Sequence, residues 1–369
     1  MHNYEDVKNP ISYVPKVWRQ RVAVVGARGY SGLELSRLLL RHPLVQLVGC
    51  FATDSSFVLS HYLTETRASE VPTWQLSDLD EHLTNIDALF LATPAEASLE
   101  LAPKVLAKGV HVIDLSGAFR LRQGDVKQRY KKWYGFEHSE TKLLKKAHFG
   151  LQPWAKPLTE AKTAQLVANP GCYASAVMMA LIPLLQAGLV DPNTLVIDAK
   201  SGTSGAGRKA AEGMLFTEVE GECLPYKVGQ HQHLPEIIEA LEEFSGVAVE
   251  PFLTTHLLTV RRGIIASIYA KTSATEDQIE AAFQQAYSHY PLVKMGRLGT
   301  PAGDGLLSLK RVVGSARTHL AFRVVGDKLF LFSLIDNLVK GAAGQAVENL
   351  NRLMDQPCDM GLSESEGVL

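Results

Sequence analysis

Between Arg21 and Val167 the chain alternates short apolar blocks with stretches whose apolar residues recur every three to four positions. RVAVVGARGYSG runs from a β-rich block into glycines, and LELSRLLLRH continues at helical spacing. VQLVGCFAT, IDALFLATP and VHVIDLSG repeat the strand pattern, with the helical EASLELAPKVLAKG between the last two. Strands alternating with helices predict a parallel sheet covered on both faces. Residues 21–167 are therefore expected to form a Rossmann-type domain.

The rhythm changes after Cys172. TLVIDAKSGTSG, VAVEPFLTTHLL, RGIIASIYAKTS and THLAFRVVGDKLFLFSL read as strands, the last carrying a hairpin signal at Gly326-Asp327. They predict an α+β domain over 168–335 with a mixed, largely antiparallel sheet. TEDQIEAAFQQAYSHY has a Thr275 cap and helical spacing. IDNLVKGAAGQAVENLNRLM reads as one long closing helix, so 336–369 is assigned back to the nucleotide domain. Residues 1–20 are read as an irregular N-terminal extension, and the tail after Asp355 is expected to be loose.

Composition narrows the class of function. With 369 residues, 46% hydrophobic and 21% charged, the chain is ordinary globular material, long enough for two domains. A net charge of −2 gives no footprint for nucleic acid or an anionic membrane, so neither partner is expected. The N-terminus lacks a signal pattern, and the four cysteines (Cys50, Cys172, Cys223, Cys358) lack metal or disulfide spacing. A cytoplasmic location with free thiols is the expectation.

Candidate chemistry starts at ANPGCYASAVMMALIPLL, where Cys172 follows a Pro-Gly turn and opens an apolar helical run. A thiol in the first turn of a helix meets unpaired N–H groups and the dipole, both of which favour the nucleophilic thiolate. The alternative is a small buried hydrophobe. In GARGYSG, Gly26, Gly29 and Gly32 follow a strand and open a helix, a setting in which backbone can approach a pyrophosphate. The second strand ends in CFATDSSF, where Thr53, Asp54 and Ser55 send a mixed message, while Arg28 is placed to meet a 2′-phosphate. NADP is favoured over NAD. SGTSGAGRKA sets glycines beside Arg208 and Lys209, suited to a phosphate or carboxylate or else a solvated loop. In GQHQHLPEIIEALEEF, His231 and His233 lack a third ligand at metal spacing, so a histidine of near-neutral pKa working beside a thiol is the better reading. Glu236 is available to orient it or a substrate amide.

Together GARGYSG, DLSGAFRL, YGFEH, NPGCY, SGTSGAGRKA, HQHLPEI and DNLVKGAAGQAV resemble the N-acetyl-gamma-glutamyl-phosphate reductase family, a relative of the aspartate-semialdehyde dehydrogenases, from about Arg21 to Asn351. The resemblance implies Cys172 as nucleophile and His231 as acid/base. It implies cofactor contacts from Gly26, Arg28, Gly29, Tyr30, Ser31, Gly32, Thr93, Ser204, Gly205 and Asn337, and substrate contacts from Arg120, Arg208 and Glu236. It implies NADPH-dependent reduction of N-acetylglutamyl 5-phosphate through a thioester, in arginine biosynthesis, by a homodimer or homotetramer. Three positions depart from the family pattern: its Y-G-L-P-E reads FGLQP, its common arginine between the two histidines is Gln232, and VRR precedes Gly263. The same chemistry on an aminoadipyl or aspartyl phosphate is one alternative, and a non-catalytic dinucleotide sensor is another.

Overall fold

The computed structural model describes residues 20–156, 158 and 163–363. The expected extension, Gln20 apart, lies outside that set. The first sheet contains β1 (Gln20–Val25), β2 (Val45–Ala52), β3 (Thr73–Gln75), β4 (Ala88–Leu91), β5 (His111–Asp114), β6 (His148–Phe149) and β7 (Leu166–Ala168), ordered β3-β2-β1-β4-β5-β7-β6. All its pairings among the described residues are parallel. Helix α1 (Tyr30–Arg41) follows β1 and α2 (Ala95–Ala107) follows β4. Because β1 sits between β2 and β4, the strand order reverses at β1 and opens a crevice beyond the carboxyl ends of β1 and β4.

Helix α3 (Cys172–Gln186) leads out of that sheet. It is apolar on every side, and every residue from Tyr173 to Leu185 is buried, as a helix enclosed by other elements must be. It packs against the second sheet, against α4 (His233–Ser245) and against α5 (Glu276–Tyr287). The second sheet comprises β8 (Val196–Gly202), β9 (Cys223–Tyr226), β10 (Phe252–Leu258), β11 (Ile264–Lys271), β12 (Val293–Arg297), β13 (Thr318–Val325) and β14 (Lys328–Ile335), ordered β12-β13-β14-β11-β8-β10-β9. Its pairings are antiparallel except for β12 with β13 and β8 with β10, matching the mixed, largely antiparallel sheet expected. The Thr275 hydroxyl accepts from the Gln278 N–H while the Gln278 side chain accepts from the Thr275 N–H, a full capping box at the start of α5.

Two expectations need correction. The closing segment is not one regular helix: Val339–Ala343 forms a wide π turn, and only then does α6 (Gly344–Leu353) begin. Buried Asp336 starts the turn by accepting N–H bonds from Leu338 and Val339 at 2.8 and 3.1 Å. The π turn and α6 lie against α1. The tail after Asp355 is not loose as far as Ser363. Asn351 Nδ2 donates to the carbonyls of Cys358 and Met360, each at 3.0 Å, and Leu362 is buried.

Candidate active site

A cavity of about 1040 Å³ lies between the two sheets at the reversal point of the first. Its floor is the turn from β7 into α3. Asn169 anchors that turn: its N–H donates to Asp114 O at 2.8 Å, its Nδ2 to Ala342 O at 3.1 Å, and its Oδ1 accepts from Asn349 Nδ2 at 3.0 Å. The Gly171 N–H donates to Glu236 Oε1 at 2.8 Å, which fixes the residue before Cys172. From the other side comes the π turn. A Cβ on Gly341 would stand 2.7 Å from Cys172 Cβ, so only glycine permits this approach.

The state of the thiol differs from the expectation at its helix position. Burial pushes Cys172 up to about 11, against the opposing N–H of Tyr173 and the Arg120 guanidinium. Buried Glu236 adds to the upward shift. At neutral pH the resting residue is a thiol, because desolvation outweighs the helix terminus.

His231 is also shifted away from neutrality. Burial, helped by the charge of Lys227, lowers it to about 4, and its ring sits edge-on to Tyr173 and Tyr226. Its Nδ1 accepts the His233 N–H at 3.1 Å. A backbone N–H only donates, so the proton of the neutral imidazole belongs on Nε2. His233 is likewise held well below the usual imidazole range by burial and by the neighbouring His231. Among the described residues no group of three or more His, Cys, Asp or Glu side chains is placed to hold a metal ion.

Arg120 borders the cavity but is heavily engaged. Its Nε donates to Asn169 O at 2.9 Å, Nη2 to Leu115 O at 2.8 Å, and Nη1 faces Glu236 Oε2 at 3.4 Å. Glu236 is not in the wall: it is 1% exposed in the first turn of α4, and its carboxylate props Gly171 and Arg120 from behind. Burial raises its pKa while Arg120 and the Gly171 N–H pull it down.

The opposite wall is built from the first sheet. Gly26 has φ +81°, and a Cβ there would collide with the Ala92 carbonyl; one on Gly32 would collide with Gly26 O. These two glycines draw the start of α1 onto the ends of β1 and β4. Gly29, Tyr30, Ser31, Gly32 and Thr93 consequently face the cavity. Arg28 and Gly26 lie outside the wall. Arg28 is exposed, and its Nε meets Asp54 Oδ2 at 3.1 Å.

From the second sheet, Ser204, Gly205 and Asn337 close the middle of the cavity, with Asn337 Oδ1 accepting from Gly263 N–H at 2.8 Å and Nδ2 donating to Ser204 Oγ at 3.0 Å. Arg208 reaches across to the nucleotide side and lies over the rings of Tyr30 and Tyr62, 5.1 and 5.2 Å from their centroids. The sequence reading missed Tyr134, Tyr173, Tyr226 and Lys227, all in the wall. Tyr134 belongs to the quoted YGFEH motif, but its ring over Gly117 is set by a helix whose role no local pattern announces.

A helix-opening cysteine, a histidine and a glycine-rich strand-to-helix turn meet around one cavity. The family model described as semialdehyde dehydrogenase, NAD binding domain, matches residues 21–162, and that of the semialdehyde dehydrogenase dimerisation domain matches 172–337. Similar solved structures include aspartate semialdehyde dehydrogenase II of Vibrio cholerae, with a TM-score of 0.68, 18% identity and coverage of 91% of this chain and 98% of that one. The Candida albicans aspartate semialdehyde dehydrogenase with NADP gives 0.62 at 14% identity, covering 93% and 99%. Among curated relatives, the N-acetyl-gamma-glutamyl-phosphate reductases of Brevibacillus brevis and Geobacillus stearothermophilus are each 40% identical over 347 and 353 residues, 93% and 94% of this chain and 97% of each relative. The chain belongs to the N-acetyl-gamma-glutamyl-phosphate reductase family.

Proposed function

We propose that this protein reduces N-acetyl-L-glutamyl 5-phosphate to N-acetyl-L-glutamate 5-semialdehyde and phosphate with NADPH, a step of arginine biosynthesis. The observation that carries the reading is the convergence of Cys172, His231 and the glycine cradle on one cavity, within a chain 40% identical to named reductases. The residues fit the cofactor: Gly26 and Gly32 let the start of α1 close onto the strand ends, and first-turn residues Tyr30, Ser31 and Gly32 face the cavity with the helix N-terminus behind them. Gly29, Thr93, Ser204, Gly205 and Asn337 complete the holding set, and the exposed Arg28, one residue before Gly29, meets the 2′-phosphate. When bound, NADPH supplies the hydride that converts an acyl group to an aldehyde.

The chain's own residues perform the rest. Cys172 Sγ bonds to the substrate's C5 carbonyl carbon, the C–O bond to phosphate breaks, and the thiol proton leaves with the phosphate. Arg120 steadies the phosphate while remaining tied to Asn169, Leu115 and Glu236. His231, neutral and protonated on Nε2, donates a hydrogen bond to the carbonyl oxygen as negative charge grows there. After reduction of the thioester, the oxyanion collapses, the C–S bond breaks, and the thiolate recovers a proton from solvent. The resting thiol at about 11 makes Cys172 a reluctant leaving group until that oxyanion pushes it out.

The acting unit is a homodimer or homotetramer, supported by an uncovered apolar row on the second sheet. Phe252, 77% exposed, pairs in register with Val196, which pairs with Tyr269, which pairs with Phe330. Four free cysteines support a cytoplasmic setting, and no described helix is long and apolar enough to cross a membrane. The test runs the reaction in reverse: N-acetylglutamate semialdehyde, phosphate and NADP should yield NADPH. Turnover that ignores phosphate, or that runs faster with aspartate or aminoadipate semialdehyde, overturns the assignment.

A further inference from the structure

The loop between β10 and β11 carries Arg262 to a place where it holds two carboxylates from different parts of the fold. Its Nη1 donates to Glu34 Oε2 at 3.0 Å, while Nη2 and Nε donate to Asp336 Oδ1 at 2.9 and 3.3 Å. Glu34 lies on α1 just beyond Gly32 of the cavity wall, and Asp336 starts the π turn. One guanidinium therefore joins the helix whose first turn faces the cavity to the turn that presses on Cys172. A planar fork suits that task, since it fixes two acceptors in direction as well as distance, whereas an ammonium is a single point.

Neither carboxylate is a surface group. Glu34 is 9% exposed and Asp336 fully buried, so their attraction to Arg262 is weakly screened. Each is also fixed on its far side. Arg37 Nε donates to Glu34 Oε1 at 3.1 Å. The Asp336 carboxylate accepts the N–H groups of Leu338, Val339 and Gly314, and its carbonyl accepts that of Gly341, the residue packed against Cys172 Cβ. The backbone beside Arg262 is held in the same way: Arg261 O accepts the Ser204 N–H at 3.1 Å, and the Gly263 N–H donates to Asn337 Oδ1 at 2.8 Å. Arg262 itself is outside the cavity wall. Its reach into the site runs through the groups it holds.

We infer that Arg262 is a positioning residue that makes α1 and the π turn act as one piece, so that loading the phosphate end of the cofactor on α1 reaches Cys172 through Glu34, Arg262, Asp336 and Gly341. The inference rests on the reductase reading above for the seat of the cofactor at α1. Its consequence is that the thiol is packed more loosely when α1 is empty than when α1 is loaded, a coupling between two sites that needs no contact between their ligands.

The experiment uses the full-length protein and 2′-phospho-ADP-ribose, which is NADP without its nicotinamide: it reaches α1 but has no ring to shield Cys172. Iodoacetamide labelling of Cys172, read by peptide mapping, should slow about fivefold or more when this fragment saturates the wild-type protein, the lower end of ordinary coupling between sites. Glu34→Gln keeps the shape of the side chain and removes the charge that Arg262 holds. It should bind the fragment within about threefold of wild type, yet the fragment should change its labelling by less than about twofold. In phosphate-dependent semialdehyde oxidation it should lose roughly ten- to hundredfold in kcat with KM for NADP little changed, the pattern of displaced reacting groups. Arg262→Lys, which retains the charge but not the fork, should behave in the same way, and the double variant should be no worse than the more impaired single one. Wild-type labelling that ignores the fragment, labelling slowed equally in wild type and Glu34→Gln, NADP affinity lost with kcat kept, or losses that add in the double variant would each overturn the inference. Wild-type protein that fails to oxidise N-acetylglutamate semialdehyde with phosphate would remove the reductase reading, while the labelling comparison would still decide the coupling. Protein that binds neither NADP nor the fragment would remove both.

Discussion

Gly341→Ala tests whether the π turn sets the nucleophile. The added Cβ would lie 2.7 Å from Cys172 Cβ and 3.1 Å from its Cα. Apolar carbons rest at about 3.5–4.0 Å, so one side must yield by roughly 1 Å. The turn cannot retreat freely, because the Gly341 N–H is bonded to Asp336 O at 2.9 Å and Ala342 O is bonded to Asn169. Cys172 therefore moves. Overpacking of this kind costs about 1–3 kcal/mol of stability, while a misplacement of about 1 Å at a reacting atom costs on the order of a hundredfold in rate. The variant should fold, bind NADP within a few fold of wild type, and lose roughly a hundredfold in kcat for phosphate-dependent semialdehyde oxidation. Fluorescence titration with NADP and thermal melting separate this from unfolding. A kcat within about threefold of wild type, with the substitution verified, would show that the turn does not position the thiol.

Iodoacetamide should label Cys172 slowly at neutral pH and about tenfold faster per pH unit up to about 11, since alkylation follows the thiolate; an apparent pKa below 8 in the free enzyme would contradict the buried thiol. Cys50, fully buried and pushed up to about 12, should label more slowly still, as peptide mapping would show. His231→Ala should lower kcat roughly a hundred- to thousandfold, the scale of a lost oxyanion donor. Because His231 sits near 4 it stays neutral from pH 5.5 to 7.5, so a kcat profile that bends near 6.5 only when His231 is present would refute its assigned state. Arg28→Ala should raise KM for NADPH and leave NADH nearly unchanged; equal effects on both would take Arg28 away from the 2′-phosphate.

Features legible in the sequence were those written in local order. The glycines at 26, 29 and 32 announce a close approach, Thr275 and Gln278 announce a helix start, and Gly326-Asp327 announces a hairpin. The cysteine was found from its position at a helix terminus. Its ionisation was not, because the packing of Gly341 against it and the charge of Glu236 come from residues 169 and 64 positions away that no local pattern connects to it. The same distance hid the seat of Arg208 on Tyr30 and Tyr62, and the retreat of Glu236 behind the wall. The π turn was invisible for another reason: VKGAAGQAV keeps helical spacing throughout, while the turn packs against both α1 and α3, elements far away in the chain.

The cover that the π turn and α6 provide for α1 bears on the order in which the molecule can be made. In chain order β1, the glycine turn and α1 come before every other described element, and the partners that enclose α1 come after the whole second sheet. Until they emerge from the ribosome, the face of α1 that they cover meets water or whatever else binds apolar surface in the cell. The nucleotide cradle is therefore translated well before the segment that completes it, and a nascent chain stalled anywhere in the second sheet carries an open flank where the finished protein carries its cofactor helix.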